Sequence, residues 1–234
     1  MKHKVFFTSV LSMAFSLVLA SSAIAEEQKK VIDGNELVNG AISTLEEFVA
    51  DKGMEQFREN LKKAHGVMIV PKWTRAGLVV GGSGGNGVVL IRKNGEWRGP
   101  AFYEYGGGSV GAQIGISVQR IVMLIMQERA IEKLLAGKVK LGAGVSAAAG
   151  TVGVAQETGT TKVSSEENVD ILSYAKAKGL YAGMVAEGST MSPLHETSKA
   201  YYGQEAKVQD ILIAGSIKSD KAQPLRDLLS KNSQ

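Results

Sequence analysis

The sequence predicts an α+β fold in which a curved or barrel-like, mainly antiparallel β-sheet is flanked by N-terminal and C-terminal helices. Three observations support this prediction. Residues 31–64, 195–202 and 208–217 show the apolar spacing of three to four residues that is typical of amphipathic helices. The stretch between them contains short apolar or alternating runs, which are typical of strands. Many of the chain's 28 glycines lie in that stretch and favour tight turns and close backbone contacts.

The first 25 residues have the pattern of a cleaved secretory signal peptide. A basic start is followed by the apolar residues 5–20, and Ala23-Ile24-Ala25 forms a small-residue cleavage site. We therefore expect a signal peptide over residues 1–25 and a single domain over residues 26–234, in the periplasm or outside the cell. The chain has no Cys, so we expect neither a lipoprotein anchor nor disulfide bonds.

The charge of the chain is weakly positive. Removal of the leader, which carries Lys2 and Lys4 and no acid, lowers the formal net charge from +4 to +2. This excess does not indicate nucleic acid as a partner, because nucleic-acid-binding domains are strongly basic. The mature chain has two isolated His residues, His65 and His195, and no Cys. We therefore expect no metal site and no cofactor.

The remaining elements are predicted in chain order. The N-terminal helical region is expected to break near Gly53, and Asn94-Gly95 is a strong tight-turn signal. The segment 121–126 is either a strand or a buried turn of helix. Short helices are predicted over residues 127–136 and 225–229, and the polar residues 157–168 are predicted to form a loop. The other predicted strands cover residues 66–71, 77–80, 88–91, 112–119, 141–155, 169–173 and 179–185.

A glycine-rich stretch matches the dinucleotide-binding fingerprint G-x-G-x-x-G. It covers Gly82 to Gly87, and the apolar residues 88–92 that follow have strand character. The fingerprint needs a helix at that point, because the helix N-terminus binds the pyrophosphate. The sequence therefore favours a glycine-rich β-turn between two strands.

A second match places Ser109 in a G-x-S-x-G motif, as in the nucleophile elbow of serine hydrolases. Asp170 and His195 follow in an order that a catalytic triad allows. The motif requires a strand, a turn and then a helix, whereas alternating, strand-like residues follow Ser109. A β-hairpin or bulge is the favoured interpretation, and a hydrolase remains an alternative hypothesis.

Basic and aromatic residues are interleaved in two predicted turns. Trp73 lies between Lys72 and Arg75, and Trp97 lies in the basic stretch 92–98. Trp favours membrane interfaces, and Lys and Arg are attracted to anionic head groups. The alternative is that both indoles cap the core beside ordinary surface charges.

Several segments, in order, resemble the SYLF domain family, a lipid-binding domain that is also described as an actin-binding module in fungi. The resemblance covers roughly residues 40–216 and implies binding of phosphoinositide or other anionic phospholipid, partly through basic N-terminal residues. Arg98 departs from the family, in which many members have a small residue at that position. The segments are 64–71 (AHGVMIVP), 81–88 (GGSGGNGV), 95–102 (GEWRGPAF), 108–115 (GSVGAQIG), 140–146 (KLGAGVS), 179–183 (GLYAG) and 200–203 (AYYG).

We therefore predict a non-catalytic protein that binds anionic phospholipid at a bacterial envelope, first by charge attraction and then by insertion of both indoles. One alternative is a structural or partner-binding protein whose Gly/Ala-rich strands form a homo-oligomer. The other is a hydrolase that uses Ser109. The predicted lipid-binding residues are Lys62, Lys63, Lys72, Trp73, Arg75, Arg92, Lys93, Trp97 and Arg98.

Overall fold

A computed structural model describes most of the chain after the predicted leader. The predicted signal peptide and the predicted loop at 157–168 lie outside the described residues, as does 151–155 of the predicted strand at 141–155. Residues Asp33–Gln234 form one unit. The described ranges are 31–77, 80–110, 115–143, 145–150, 169–177, 180–183 and 188–234.

Helices lie at both ends of the described chain, as predicted. The Asp33 carboxylate accepts a hydrogen bond from the backbone N–H of Asn35 and so caps the first helix. A 3-10 turn at Lys52–Met54 separates the first two helices, which confirms the break near Gly53. Two further short segments are a π-helix at Asp210–Ala214 and a 3-10 turn at Asp220–Ala222. The α-helices are α1 Gly34–Ala50, α2 Glu55–Lys63, α3 Glu128–Leu135, α4 His195–Tyr202 and α5 Gln223–Asn232.

Within the described residues, the strands form one nine-stranded sheet that curls into a half-barrel, which confirms the predicted fold class. The order is β5-β9-β3-β2-β1-β4-β7-β6, and β8 also pairs with β7. The pairings are antiparallel except for that between β6 and β7. The strands are β1 Gly66–Gly77, β2 Val80–Lys93, β3 Glu96–Val110, β4 Gly115–Ile125, β5 Val139–Lys140, β6 Ala147–Ala149, β7 Ile171–Ala177, β8 Leu180–Gly183 and β9 Thr190–Pro193.

The long strands correct several predicted boundaries. Pro71 was expected to end β1, but the strand continues to Gly77 because its pairing register shifts between Val70 and Trp73. Such a bulge tolerates a residue that has no N–H for the ladder. Residues 121–126 are not a turn of helix, since β4 runs to Ile125. Strands β3, β5 and β9 were not predicted.

The predicted β-turn over Gly82 to Gly87 is wrong, because these residues lie within β2. The neighbouring strand β3 has its own glycines at matching positions, so that Gly82 pairs with Gly108 and Gly84 pairs with Gly106. Glycines that are paired across two neighbouring strands have no Cβ atoms to collide, so the strands can bend and coil strongly at these positions. The glycines therefore allow the curl of the sheet.

Both faces of the sheet are covered where β1 begins. One face of the sheet carries a core cluster that includes Met68, Tyr103 and Ile211. On the other face, the Phe57 ring of α2 lies 5.1 Å from the Tyr174 ring of β7, measured between centroids. These two apolar layers fix the positions of α2 and of the chain that follows α4.

Candidate functional site

The sheet end at which β1 begins gathers several of the predicted basic residues. Gly66 of β1 pairs with Ile91 of β2 and with Ile125 of β4. Beyond Ile91, the β2–β3 hairpin closes through Asn94 and Gly95, whose φ angles are +53° and +81°. Positive φ at both central positions is the requirement of a type I′ two-residue hairpin turn, so the predicted turn is confirmed.

Arg92 connects three elements at this end of the sheet. Its Nη2 donates to the carbonyl oxygen of Lys62 at 2.7 Å, and its Nη1 donates to the carbonyl oxygen of Ser233 at 3.2 Å. Its guanidinium carbon lies 5.9 Å from the centre of the Trp97 ring, which is within range of a cation–π contact. Arg92 therefore holds the end of α2, the hairpin and the segment after α5 together.

Three lysines surround this junction and are exposed. Lys62 and Lys63 occupy the last turn of α2, and Lys93 follows Arg92 in the hairpin. The Lys62 Nζ lies 3.3 Å from the Glu59 Oε1, but both side chains are about half exposed. Ion pairs at the surface of a protein contribute little binding energy. We call Lys62, Lys63, Arg92 and Lys93 the basic end.

Lys72 and Arg75 do not belong to the basic end. A strand rises about 3.3 Å per residue, so Arg75, which follows Gly66 by nine residues in β1, lies roughly 30 Å further along the strand. There its backbone pairs with Ser83 of β2 and Ser117 of β4. The structure therefore divides the predicted lipid-binding set into two separate groups.

Trp73 and Trp97, which were predicted to insert into a membrane from exposed turns, are buried in this fold. Both residues lie in strands rather than turns, and their exposed fractions are 6% and 4%. The Trp73 ring stacks against Tyr105 with centroids 6.4 Å apart, and the Trp97 Nε1 donates to the Ser233 Oγ at 3.0 Å. In this structure both indoles belong to the core, which favours the alternative interpretation.

Arg98 lies beside a cavity that the sequence did not indicate. Its half-buried guanidinium donates to the carbonyl oxygen of Ile213, and it lines a space of about 270 Å³ together with Lys218 and Arg226. Those two residues are more than 110 positions further along the chain, and no motif links them to Arg98. A long-range contact of this kind leaves no signal in a single sequence.

The nucleophile elbow, the alternative interpretation of the motif around Ser109, does not fit the described backbone. The backbone of Ser109 pairs with Gly81 inside the β2–β3 ladder, and the next described segment is strand β4, which begins at Gly115. Asp170 precedes β7 at the opposite end of the sheet, where Ile171 pairs with Ile125. At about 3.3 Å per residue, the two positions are on the order of 30 Å apart.

The hydrogen bonds of Asp170 indicate a structural role instead. Its buried carboxylate accepts hydrogen bonds from the Arg129 Nε and from the backbone N–H and hydroxyl of Ser146, the latter two at 2.8 and 2.9 Å. Burial alone would raise the pKa of Asp170, but these hydrogen bonds outweigh it and lower the pKa below its ordinary value. The carboxylate thus stays charged and ties α3 to the start of β7. Among the described residues, no group of three or more His, Asp or Glu could hold a metal ion.

A comparison with known protein families shows to which family the chain belongs. Residues 106–232, more than half of the sequence, match the Ysc84 family, which is described as "Las17-binding protein actin regulator". The chain belongs to the Ysc84 family. The resemblance to the SYLF domain is therefore confirmed.

Curated relatives of this Ysc84-family chain include animal and yeast proteins. SH3 domain-containing YSC84-like protein 1 of Bos taurus is 31% identical over 171 residues, which are 72% of this chain and 49% of the relative. Protein YSC84 of Saccharomyces cerevisiae is 29% identical over 172 residues, 72% of this chain and 36% of the relative. The chain thus spans about half or less of the length of these relatives. No solved structure matches it significantly.

Proposed function

We propose that this Ysc84-family protein binds anionic phospholipid without catalysis and attaches to the membrane surface through the basic end. The observation that supports this proposal is the exposure of Lys62, Lys63 and Lys93 around Arg92. A basic side chain near an anionic membrane contributes about 1 kcal/mol. The basic end would therefore give weak and reversible attachment.

A binding role also agrees with the names of the relatives. LAS seventeen-binding protein 3 of Saccharomyces cerevisiae, named for a protein partner, is 30% identical over 154 residues, 65% of this chain and 33% of the relative. Its name and the family description refer to binding and regulation rather than to a reaction.

The attachment should be electrostatic rather than insertional. The indoles of Trp73 and Trp97 are already buried in the protein. Moving them into lipid would remove their packing contacts in the core. Within the described residues, no helix is long and apolar enough to cross a membrane. Attraction between exposed charges is screened within about 10 Å at 0.1 M salt. Binding should therefore weaken strongly as salt is added.

Reversing the charges of the basic end is expected to abolish vesicle binding. The variant Lys62→Glu/Lys63→Glu/Lys93→Glu replaces attraction by repulsion at three exposed positions, so its folding should be preserved. The measurement is co-sedimentation with phosphatidylcholine vesicles that contain phosphatidylglycerol, at low and at high salt. The wild-type protein should bind at low salt only, and the variant should bind at neither.

A matched control separates the basic end from net charge. Lys138, Lys140 and Lys207 are also exposed, and they flank or follow α3 and α4 rather than the hairpin. Their replacement by Glu makes the same change in net charge and should leave most vesicle binding intact. Equal losses in both variants, or no binding by the wild-type protein at low salt, would refute the proposal.

We propose that the protein reaches a bacterial envelope by export and cleavage after Ala25, on the grounds of the leader pattern alone. N-terminal sequencing of the protein recovered from its own cells should then begin at Glu26. A protein that retains Met1, or that is found only in the cytoplasm, would contradict this proposal.

A further inference from the structure

The cavity beside Arg98 has walls from three parts of the chain. One wall is the start of β3, with Glu96 and Trp97, the second is the segment that follows the π-helix, with Lys218, and the third is α5, with Gln223 and Arg226. The cavity holds about 270 Å³, which is at the small end of ligand pockets in proteins. It can accept a small polar group but not an acyl chain.

The two guanidinium groups are fixed in place by the protein itself. Arg226 donates from Nη1 to the carbonyl oxygen of Gly99 at 3.0 Å and from Nη2 to that of Ser219 at 2.9 Å. Its Nε and Nη2 also donate to the Gln223 Oε1, at 3.2 and 2.6 Å. Arg98 donates from Nη1 to the carbonyl oxygen of Ile213 and packs against Gly215, where an added Cβ would lie 3.3 Å from its Cδ. A guanidinium has five N–H donors, so Arg98 keeps most of its donors, whereas Arg226 keeps one N–H on Nη1 and its charge.

The charges that line the cavity favour an anion. Arg98, Lys218 and Arg226 contribute three positive charges, and Glu96 contributes one negative charge. Guanidinium groups whose orientation is already fixed lose little side-chain entropy when they bind an oxyanion. The planar fork of Arg98 matches the oxygens of phosphate, and the Lys218 ammonium group adds a mobile point charge.

We infer that this cavity binds a phosphate monoester, either as a free small molecule or as the head group of a lipid. A monoester presents three terminal oxygens and a charge near −2 above pH 7, whereas a phosphodiester presents two terminal oxygens and a single charge. Three cations around a small space complement the monoester better. The site is separate from the four residues of the basic end, although Trp97 borders both.

Binding to the purified protein at pH 8 tests the inference by calorimetry, with glycerol 3-phosphate as the soluble probe. Lys218→Gln removes one exposed cation of the cavity and should weaken binding about tenfold, as loss of one charged hydrogen bond does. Glu96→Gln removes the opposing charge and should tighten binding, a gain that misfolding cannot produce. Lys231→Gln, in the same helix as Arg226 but outside the cavity lining, is the matched control and should bind normally.

A vesicle arm distinguishes the two sources of the monoester. Phosphatidic acid carries a monoester head group, and phosphatidylglycerol carries a diester. Binding of glycerol 3-phosphate supports a free ligand. A preference for phosphatidic acid vesicles that Lys218→Gln removes, without binding of the soluble probe, supports a lipid head group. Absence of both, or equal losses in Lys218→Gln and Lys231→Gln, would overturn the inference.

These outcomes can be told apart from failure of the proposed membrane attachment. The variant with Glu at positions 62, 63 and 93 should still bind glycerol 3-phosphate, because none of these residues lines the cavity. Binding to phosphatidylglycerol vesicles without any monoester binding would sink the inference and leave the basic end as the membrane site. Monoester binding without phosphatidylglycerol binding would support the inference and refute the proposed attachment through the basic end.

Discussion

Replacing Trp73 with Ala is expected to lower the free energy of unfolding by about 3–5 kcal/mol. The indole is 6% exposed, belongs to the core cluster that includes Met68 and Tyr103, and stacks on Tyr105. Its removal leaves a cavity between β1 and β3 that the curled sheet cannot close without losing strand pairs. Denaturant unfolding, followed by circular dichroism, measures the change.

Two controls make this result specific to burial. Trp73→Phe keeps much of the ring volume and should cost clearly less than Trp73→Ala. Val118→Ala truncates a side chain that is 51% exposed and should change stability by less than about 0.5 kcal/mol. A Trp73→Ala variant that has wild-type stability but no longer binds vesicles would restore the insertion hypothesis.

Tryptophan emission gives an independent check on the same point. Trp73 and Trp97 are the two Trp residues of the chain, and both are buried. Adding anionic vesicles should therefore leave the emission maximum unchanged, even under conditions in which the protein binds. A blue shift on binding would mean that an indole leaves the core for lipid.

The sequence was sufficient for the fold class but not for the sheet register. Apolar periodicity correctly predicted the helices at both ends, and Asn94-Gly95 correctly predicted the hairpin turn. The face to which Trp73 points depends on the bulge that follows Val70. One extra residue in a strand moves every later side chain to the opposite face. A bulge of this kind has no distinct pattern in a single sequence.

The candidate sites were predictable to different degrees. Lys93 lies in a stretch in which basic and aromatic residues are interleaved, so the local sequence indicated it, whereas Lys62 and Lys63 were indicated by the resemblance to the SYLF domain. Their meeting depends on Arg92, whose hydrogen bond to the carbonyl oxygen of Lys62 spans 30 positions. Lys218 reaches the cavity only because the chain after α4 returns to the hairpin. Local patterns contain no information about such returns.

Replacing Gly87 with Ala is expected to destabilise the protein by about 3 kcal/mol, at the upper end of the range for overpacking. A Cβ at this position in β2 would overlap the carbonyl oxygen of Ile69 in β1 and would lie 3.0 Å from a methyl group of Val70. The obstacle at Ile69 is backbone, which cannot rotate away as the end of a side chain can. The strands would have to separate at the point where the sheet curls, and thermal or denaturant unfolding would record the loss.

Gly82 provides the matched control within the same strand. No heavy atom lies within 4 Å of a Cβ built at Gly82, and neither glycine has a positive φ that would itself require glycine. Gly82→Ala should therefore be neutral or stabilising by about 0.5 kcal/mol, because Ala reduces the conformational freedom of the unfolded chain. If the two variants were equally stable, close strand contact could not be the reason for glycine at position 87. The same six residues that match a nucleotide fingerprint would then need another explanation, since β2 continues where the required helix would begin.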